Sequence, residues 1–193
     1  MRIETIHPVL TTSLPKKFKK LEEKLLEWCD IKNNTYNGQA GLQISINSTN
    51  EEQRDDMFNN CSLSVQDFSV IADKLPNPIG RKYCLNFAYS SNFEIDAKKL
   101  SNLFSPEKWM IKITPIHNNQ ECRKNGYETK GGYTSFKPYQ EVEESLKSHG
   151  FDVLIFVPSM DEEKGLVTCG NAILGGSKMN TKNVKMKIEG QSE

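Results

Sequence analysis

The chain has 193 residues, 36% of them hydrophobic and 26% charged, which is a size and composition typical of one globular domain. Its 25 basic residues balance its 25 acidic residues, so the formal charge is zero. Such a chain lacks the general basic field with which proteins bind nucleic acids or anionic membranes non-specifically. The composition therefore excludes a strongly basic or acidic binding protein and leaves only local patches open.

Membrane insertion and a disulfide framework are both disfavoured. No apolar run approaches the roughly 18 residues of a transmembrane helix, and the N-terminal sequence lacks the charged-then-apolar order of a secretion signal. We therefore expect a cytoplasmic protein with no membrane partner. The five cysteines are widely scattered and form no Cys-x2-Cys or Cys-x3-Cys pair. Local spacing thus indicates neither disulfides nor a zinc or iron-sulfur site.

The predicted elements alternate between strands and helices. A strand over Ile3–Ile6 is expected to end at His7-Pro8, because proline interrupts strand pairing. From Pro15 onward, apolar residues recur every three or four positions, which predicts an amphipathic helix. Further strands are predicted over residues 42–47, 82–89, 109–114 and 151–157, and further helices over 54–58, 64–75, 95–104 and 142–149. Asn50 or Thr49 and Asp96 are the expected helix caps, and Gly150 the expected helix end.

This alternation predicts an α/β fold with a parallel sheet. We expect one domain over residues 1–176, followed by a polar C-terminal tail over residues 177–193. A long polar loop over residues 118–136 lies inside the domain, and loops of this length are usually functional or disordered.

Candidate ligand-binding residues follow the predicted strands, because parallel α/β folds bind ligands at the carboxyl ends of their strands. These ends contain His7, Asn47-Ser48, Ser90–Asn92 and His117-Asn118. Uncharged polar groups of this kind suit a nucleoside or an amino acid better than a bare phosphate. The alternative is that Ser and Asn are present only because they favour turns. His7 and His117 would suit a metal if they faced one site, but no third ligand is evident.

One cysteine also has the sequence context of a reactive group. Cys169 precedes Gly170 at a possible helix start, where the helix dipole would make a thiol more reactive. An inert buried cysteine is the alternative. The chain contains neither a Gly-Lys-Ser/Thr phosphate loop nor a Gly-x-Ser-x-Gly motif, which disfavours a P-loop nucleotidase and a serine-triad hydrolase.

Four stretches of the chain resemble the C-terminal half of the radical-SAM adenine-C2 methyltransferases of rRNA and tRNA. Residues 42–58 are similar to the family's Ser-Leu-His strand end, which Ala-x-Asn-Asp and an arginine follow. Residues 112–118 are similar to its Ile-Pro-x-Asn segment, and residues 136–157 to a helix, a glycine and a Val-rich strand. Residues 168–171 are similar to its Ala-Cys-Gly-Gln segment. The four stretches occur in the family's order, and the agreement extends over residues 3–174.

The resemblance implies an incomplete, TIM-like radical-SAM barrel that lacks the first two barrel strands and binds S-adenosylmethionine. By position, it assigns cofactor contacts to His7, Ser45, Ile46, Asn47, His117 and Asn118. It also implies that Cys169 is the methyl carrier, which takes a methyl group from one S-adenosylmethionine before a 5'-deoxyadenosyl radical activates that methyl for attack on an RNA adenine. RNA is then the implied substrate.

The chain departs from this family in important parts. The Cys-x3-Cys-x2-Cys loop of the 4Fe-4S cluster, the Gly-Glu motif and the N-terminal RNA-binding domain are missing, and Asn47 replaces a histidine. Without a cluster, reductive cleavage of S-adenosylmethionine has no electron source. We therefore interpret the chain as the C-terminal portion of such an enzyme, with the cluster on a missing segment or a complementary chain. The alternatives are an inactive partial barrel that binds a ligand or a protein partner, and an unrelated α/β domain.

Overall fold

The computed structural model describes residues 6–116 and 139–157. They form a five-stranded, all-parallel sheet whose strands are arranged in the order of the chain. The strands are β1 (Val9–Thr12), β2 (Gly41–Ser45), β3 (Tyr83–Tyr89), β4 (Trp109–Pro115) and β5 (Asp152–Ile155). The helices are α1 (Leu21–Asp30), α2 (Glu51–Met57), α3 (Val65–Lys74), α4 (Ala97–Leu103) and α5 (Gln140–Ser148), and α1 continues into a π-helical turn over Ile31–Thr35. The predicted α/β class with a parallel sheet is confirmed.

The sequential strand order explains why one face of the sheet holds the core. Crossovers between parallel strands are right-handed, so a sheet that always grows in one direction receives its helices on one face. Alternate strand residues on that face pack with the helices in one hydrophobic cluster, for example Ile44, Leu85, Phe87, Ile111 and Ile113. Such one-sided coverage is compatible with a partial barrel.

An aromatic cluster fills the part of this core near the amino ends of the strands. Trp109 is buried and packs edge-on against Phe68 of α3, with ring centroids 5.6 Å apart. Phe104 and Tyr83 complete the cluster at 5.7 and 5.3 Å from Trp109. These large rings bury extensive apolar area and hold α3 against β3 and β4.

Local signals at the helix ends agree with the sequence. The Asn50 side chain accepts a hydrogen bond from the N–H of Gln53 at 3.2 Å, and the Asp96 side chain accepts one from the N–H of Lys99 at 2.9 Å. Gly150 follows α5 with φ +90°, as expected for a helix end that glycine terminates. None of the helices in residues 6–116 and 139–157 is long and apolar enough to cross a membrane.

The first strand lies on the other side of Pro8 from the predicted one. Ile6 is outside any strand, and residues 3–5 lie outside the described residues. β1 begins at Val9, and the Pro8 carbonyl accepts a hydrogen bond from the N–H of Gly41 at 2.8 Å. Proline is tolerated at the start of a strand because it lacks only the N–H donor, and its carbonyl can still accept a hydrogen bond from the neighbouring strand. Pro8 therefore precedes the first strand of the sheet and does not end it.

The first helix also starts later than predicted. Pro15 forms an isolated bridge with Ser62, and the N–H of Lys16 donates to the carbonyl of Cys61 at 2.8 Å. These contacts hold the chain against the segment before α3, so α1 begins only at Leu21. Phe18 consequently lies outside the helix and is 45% exposed.

Candidate functional site

The sheet has a second face, here called the polar face, whose side chains do not belong to the core cluster. Successive strand residues point to opposite faces, so the register of the strands identifies its members. The polar face consists of Thr11, Gln43, Ser45, Cys84, Asn86, Ala88, Met110, Lys112, Thr114, Asp152 and Leu154. It combines hydroxyl, amide, thiol and ammonium groups, whereas the core face is almost entirely apolar.

A polar row crosses this face from the carboxyl end of β2 through the middle of β3 and β4. Ser45 pairs in register with Asn86, Asn86 with Lys112, and Lys112 with Leu154. Ser45 and Lys112 are half-buried, whereas Asn86 is buried. The hydroxyl of Thr114 donates a hydrogen bond to Asn86 Oδ1 at 3.4 Å. Three neighbouring strands thus place a hydroxyl, an amide and an ammonium group side by side.

Asn47 lies just beyond this row, where β2 ends. Its backbone has φ +64°, a left-handed conformation that asparagine tolerates better than most residues. Its Oδ1 accepts a hydrogen bond from the N–H of Ala88 at 3.0 Å, which ties the end of β2 to β3. Within the part of the chain that the structure describes, Asn47 Nδ2 has no hydrogen-bond partner, so it is available to donate to a ligand.

The loops after β2 and β3 are joined by buried hydroxyl groups. Ser48 Oγ donates to Gln53 Oε1 at 2.6 Å. The N–H of Thr49 donates to the carbonyl of Glu94 at 2.8 Å, and Thr49 Oγ1 accepts from the N–H of Asp96 at 2.9 Å. Ser48 and Thr49 are fully buried. These two residues therefore act as structural groups that fix the carboxyl edge beside Asn47.

A buried arginine joins the ends of β1 and β2. Arg54 is 1% exposed and donates to the Ile46 carbonyl, to Ser62 Oγ at 2.9 Å and to the Leu63 carbonyl at 2.8 Å. Ser62 Oγ in turn donates to the carbonyl of Ser13, just after β1. Burial lowers the pKa of Arg54, and Glu51 at 3.7 Å partly opposes that shift. Arg54 is thus a positioning residue for the strand ends.

The structure separates the sequence-predicted residues of β2. Ser45 lies on the polar face and Asn47 at its carboxyl edge. The side chain of Ile46 is fully buried in the core, its N–H donates to the Asn86 carbonyl at 2.9 Å, and its carbonyl is bound by Arg54. The side chain, N–H and carbonyl of Ile46 are therefore all used in holding the fold together. The other predicted contacts, His117 and Asn118, and the predicted methyl carrier Cys169 lie outside the described residues.

The structure places His7 at the opposite edge of the sheet. His7 is exposed and precedes β1, and Val9 is in register with Gly41 at the amino end of β2. At about 3.3 Å per residue, His7 lies roughly 20 Å along the strand direction from Ser45. The structure therefore does not bring His7 together with Asn47, because Pro8 precedes β1.

Sequence reasoning missed the residues that lie inside the central strands. Asn86, Lys112 and Thr114 are polar members of two strands in which apolar and polar residues alternate. That alternation was the available signal: it assigns one side of each strand to the core and the other to a polar surface. Joining the two polar sides into one row required the register between β3 and β4.

The described cysteines do not form a metal centre. Cys29 is buried, Cys61 is exposed, and Cys84 is half-buried on the polar face. Burial raises the pKa of Cys84 to about 11, so that thiol is protonated at neutral pH. Within residues 6–116 and 139–157, no group of three His, Cys, Asp or Glu side chains is arranged to hold a metal ion. The residues that the structure describes therefore do not fit a 4Fe-4S cluster.

The polar face does have the chemistry of a small-molecule site. It offers Ser45 and Asn86 for hydrogen bonding, Lys112 for an anionic group, and the exposed ring of Phe156 just after β5. A few polar groups beside apolar surface are typical of ligand sites, and Ser45 and Phe156 lie near the carboxyl edge, where parallel sheets bind ligands. Comparisons with known proteins gave no match to a family model, a curated protein or a solved structure.

Proposed function

We propose that this chain forms part of a partial β/α barrel that binds S-adenosylmethionine on its polar face, as the C-terminal portion of a radical-SAM methyltransferase of RNA adenine. The observation that supports this most is the polar row Ser45–Asn86–Lys112 on one face of a sequentially ordered parallel sheet, which crosses the middle of β3 and β4 and reaches the carboxyl edge at Ser45. Ligands of parallel sheets bind at this edge because the loops that follow the strands converge there.

The individual groups suit a nucleoside that carries a charged side chain. The Ser45 hydroxyl and Asn47 Nδ2 provide hydrogen-bonding groups for ribose hydroxyls or an adenine edge. Phe156 is 41% exposed and offers a flat apolar surface for a base. Among such nucleosides, S-adenosylmethionine is the one that the sequence resemblance implies. This support for the proposal is independent of the geometry of the polar face.

Radical chemistry requires a 4Fe-4S cluster, and the described cysteines do not fit one. We therefore assign the cluster to a complementary chain or segment with a Cys-x3-Cys-x2-Cys loop. The present chain then contributes nucleoside binding. Cys169, which the resemblance implies as the methyl carrier, would contribute the nucleophile.

Binding is tested first with the full 193-residue chain and S-adenosylhomocysteine in isothermal titration calorimetry. Replacing Ser45 with leucine should weaken binding at least about tenfold, since it removes a hydrogen-bonding group and fills space on the polar face. The control is Ser101→Ala on α4, whose hydroxyl only donates to the Lys98 carbonyl of its own helix at 3.0 Å. Absence of binding, or equal affinity in both variants, would refute nucleoside binding at this face.

Catalysis is tested by anaerobic iron and sulfide analysis with and without a chain that carries the Cys-x3-Cys-x2-Cys loop. We expect the mixture to contain iron and to release 5'-deoxyadenosine under reductant, and Cys169→Ala to retain that release but stop methyl transfer. Nucleoside binding without iron uptake by any such mixture would favour the alternative, an inactive barrel that acts as a binding module.

A further inference from the structure

We propose that Lys112 is the anion-recognition residue of the polar face, and that the ligand bound there presents a carboxylate or phosphate group to Lys112 Nζ. This inference rests on the proposed function in one respect, because it takes the polar face as the ligand-binding face. It adds the chemical class of ligand: an anionic or zwitterionic molecule, as opposed to a neutral nucleoside.

Lys112 occupies the centre of the row. It lies on β4 between Asn86 of β3 and Leu154 of β5, in register with both. Its own strand neighbours Ile111 and Ile113 are fully buried on the core face, so Lys112 must point to the opposite face. Lys112 as a whole is half-buried.

The charges around Lys112 leave its ammonium group unneutralised by the described residues. Asp152 lies on the same face, but it is paired with Lys82 at 2.7 Å. Cys84 lies on β3 in the row below, and burial keeps its thiol protonated at neutral pH. No ion pair joins Lys112 to a carboxylate within residues 6–116 and 139–157. An ammonium group without a counter-charge attracts an anionic ligand, and charge-assisted hydrogen bonds of this kind are among the stronger ones in proteins.

The side chain also points towards the carboxyl edge. Lys112 Nζ lies 4.9 Å from the centroid of the Phe156 ring. Phe156 continues β5 beyond its last residue, and its N–H donates to the Ile113 carbonyl at 2.9 Å. The ammonium group is therefore held by a cation–π contact on the ligand-binding side of the sheet, away from Asp152.

The test compares three adenosine compounds on the full chain by isothermal titration calorimetry. S-adenosylhomocysteine carries a carboxylate, adenosine monophosphate carries a phosphate, and 5'-methylthioadenosine carries neither. The variants are Lys112→Met and Lys112→Gln, which remove the charge, and Lys112→Arg, which keeps it. Lys82→Met is the matched control, because Lys82 lies just before β3 and already has Asp152 of the polar face as its partner. Circular dichroism selects the variants that fold.

We expect the neutral variants to weaken the binding of one anionic compound about tenfold, roughly the loss of one charge-assisted hydrogen bond, and arginine to restore it. Binding of 5'-methylthioadenosine should not change, and neither should the affinities of Lys82→Met. The compound that loses affinity identifies the anion as a carboxylate or a phosphate.

Two results would overturn the inference and are distinguishable from failure of the proposed function. If the wild type binds S-adenosylhomocysteine and adenosine monophosphate, and the neutral variants bind both equally well, Lys112 does not recognise an anion although nucleoside binding stands. If the wild type binds no adenosine compound, nucleoside binding fails, and inorganic phosphate is tested by thermal unfolding. Stabilisation of the wild type but not of Lys112→Gln would then uphold the anion site, and no stabilisation would overturn it.

Discussion

Replacing Arg54 with methionine should destabilise the protein by about 2–4 kcal/mol. The side chain is 1% exposed and donates to the Ile46 carbonyl, to Ser62 Oγ and to the Leu63 carbonyl. Methionine fills much of the same volume but donates nothing, so two backbone carbonyls lose a charged donor at a cost of about 1–3 kcal/mol each. Relief from burying a cation, which lowers the pKa of Arg54, offsets part of this cost.

Equilibrium unfolding in urea, followed by tryptophan fluorescence, measures the loss. Trp109 is buried and reports on the core. We expect Arg54→Met to lower the midpoint without changing the slope, since the native surface area stays the same. The matched control is Arg81→Met: Arg81 is exposed and its side chain makes one bond of 3.3 Å, to the Gln39 carbonyl. Its effect should stay within about 0.5 kcal/mol.

A loss below about 1 kcal/mol in Arg54→Met would refute this reasoning, because it would mean that the freed carbonyls find other donors at little cost. Arg54→Lys separates charge from geometry. Lysine keeps the positive charge but lacks the planar fork that reaches three acceptors, so we expect an intermediate loss. Wild-type stability in this variant would show that the charge alone matters.

Two further predictions concern Asn47 and Lys32. Asn47→Gly keeps the left-handed backbone but loses the hydrogen bond from the Ala88 N–H, so we expect thermal unfolding to show a loss of about 1 kcal/mol in stability. Asn47→Val loses both the hydrogen bond and the left-handed backbone, and we expect a loss of about 2–3 kcal/mol. Equal losses in the two variants would contradict the role of φ +64°. Lys32 is fully buried, its Nζ donates to the Ile79 carbonyl at 2.7 Å, and burial lowers its pKa from the ordinary value near 10.5. At a pH between the lowered pKa of folded Lys32 and the ordinary pKa of 10.5 in the unfolded chain, the unfolded state binds more protons than the folded state. The stability of the wild type relative to Lys32→Met should therefore rise as pH increases towards 10.5. A constant difference between the urea midpoints of the two proteins over that range would argue against this prediction.

The central strands could be predicted from the sequence because local signals determine them. Leu85, Phe87, Ile111 and Ile113 are buried on the core face, and such alternating large apolar residues strongly favour β structure. The helix caps Asn50 and Asp96 could also be read locally, since each bonds within its own first helical turn. These local signals therefore predict the α/β class and the order of most strands and helices along the chain.

The position of the first strand could not be read in this way. Residues 3–6 and residues 9–12 are both short and rich in β-branched residues, and Pro8 separates them. Pairing with β2 identifies residues 9–12 as a strand, since Val9 opposes Gly41 and Leu10 opposes Leu42. A proline that would end one strand can equally precede another, so the choice depends on tertiary contacts. The expected position of His7 at the carboxyl end of a strand depended on this choice.

The residues of the candidate site also differ in whether the sequence alone indicates them. Asn47 could be found because it ends a recognisable strand, and Ser45 through the family resemblance, whereas a lysine within a strand, such as Lys112, usually marks a solvated face. Only the register of β4 with β3 and β5 shows that Lys112 neighbours Asn86 and Leu154. The neutral overall charge gave no hint either, since it counts paired and unpaired charges alike.

The same register that builds the core also fixes the chemistry of the polar face. A slip of β4 by one residue would turn Ile111 and Ile113 away from the helices and bury Lys112 among apolar side chains. Burying an unpaired ammonium group and exposing two isoleucines are both unfavourable, so the alternation in the sequence holds Lys112 beside Asn86. The position of this cation is therefore specified by the hydrophobic core itself, and substitutions of Lys112 can probe ligand recognition without altering the register that places it.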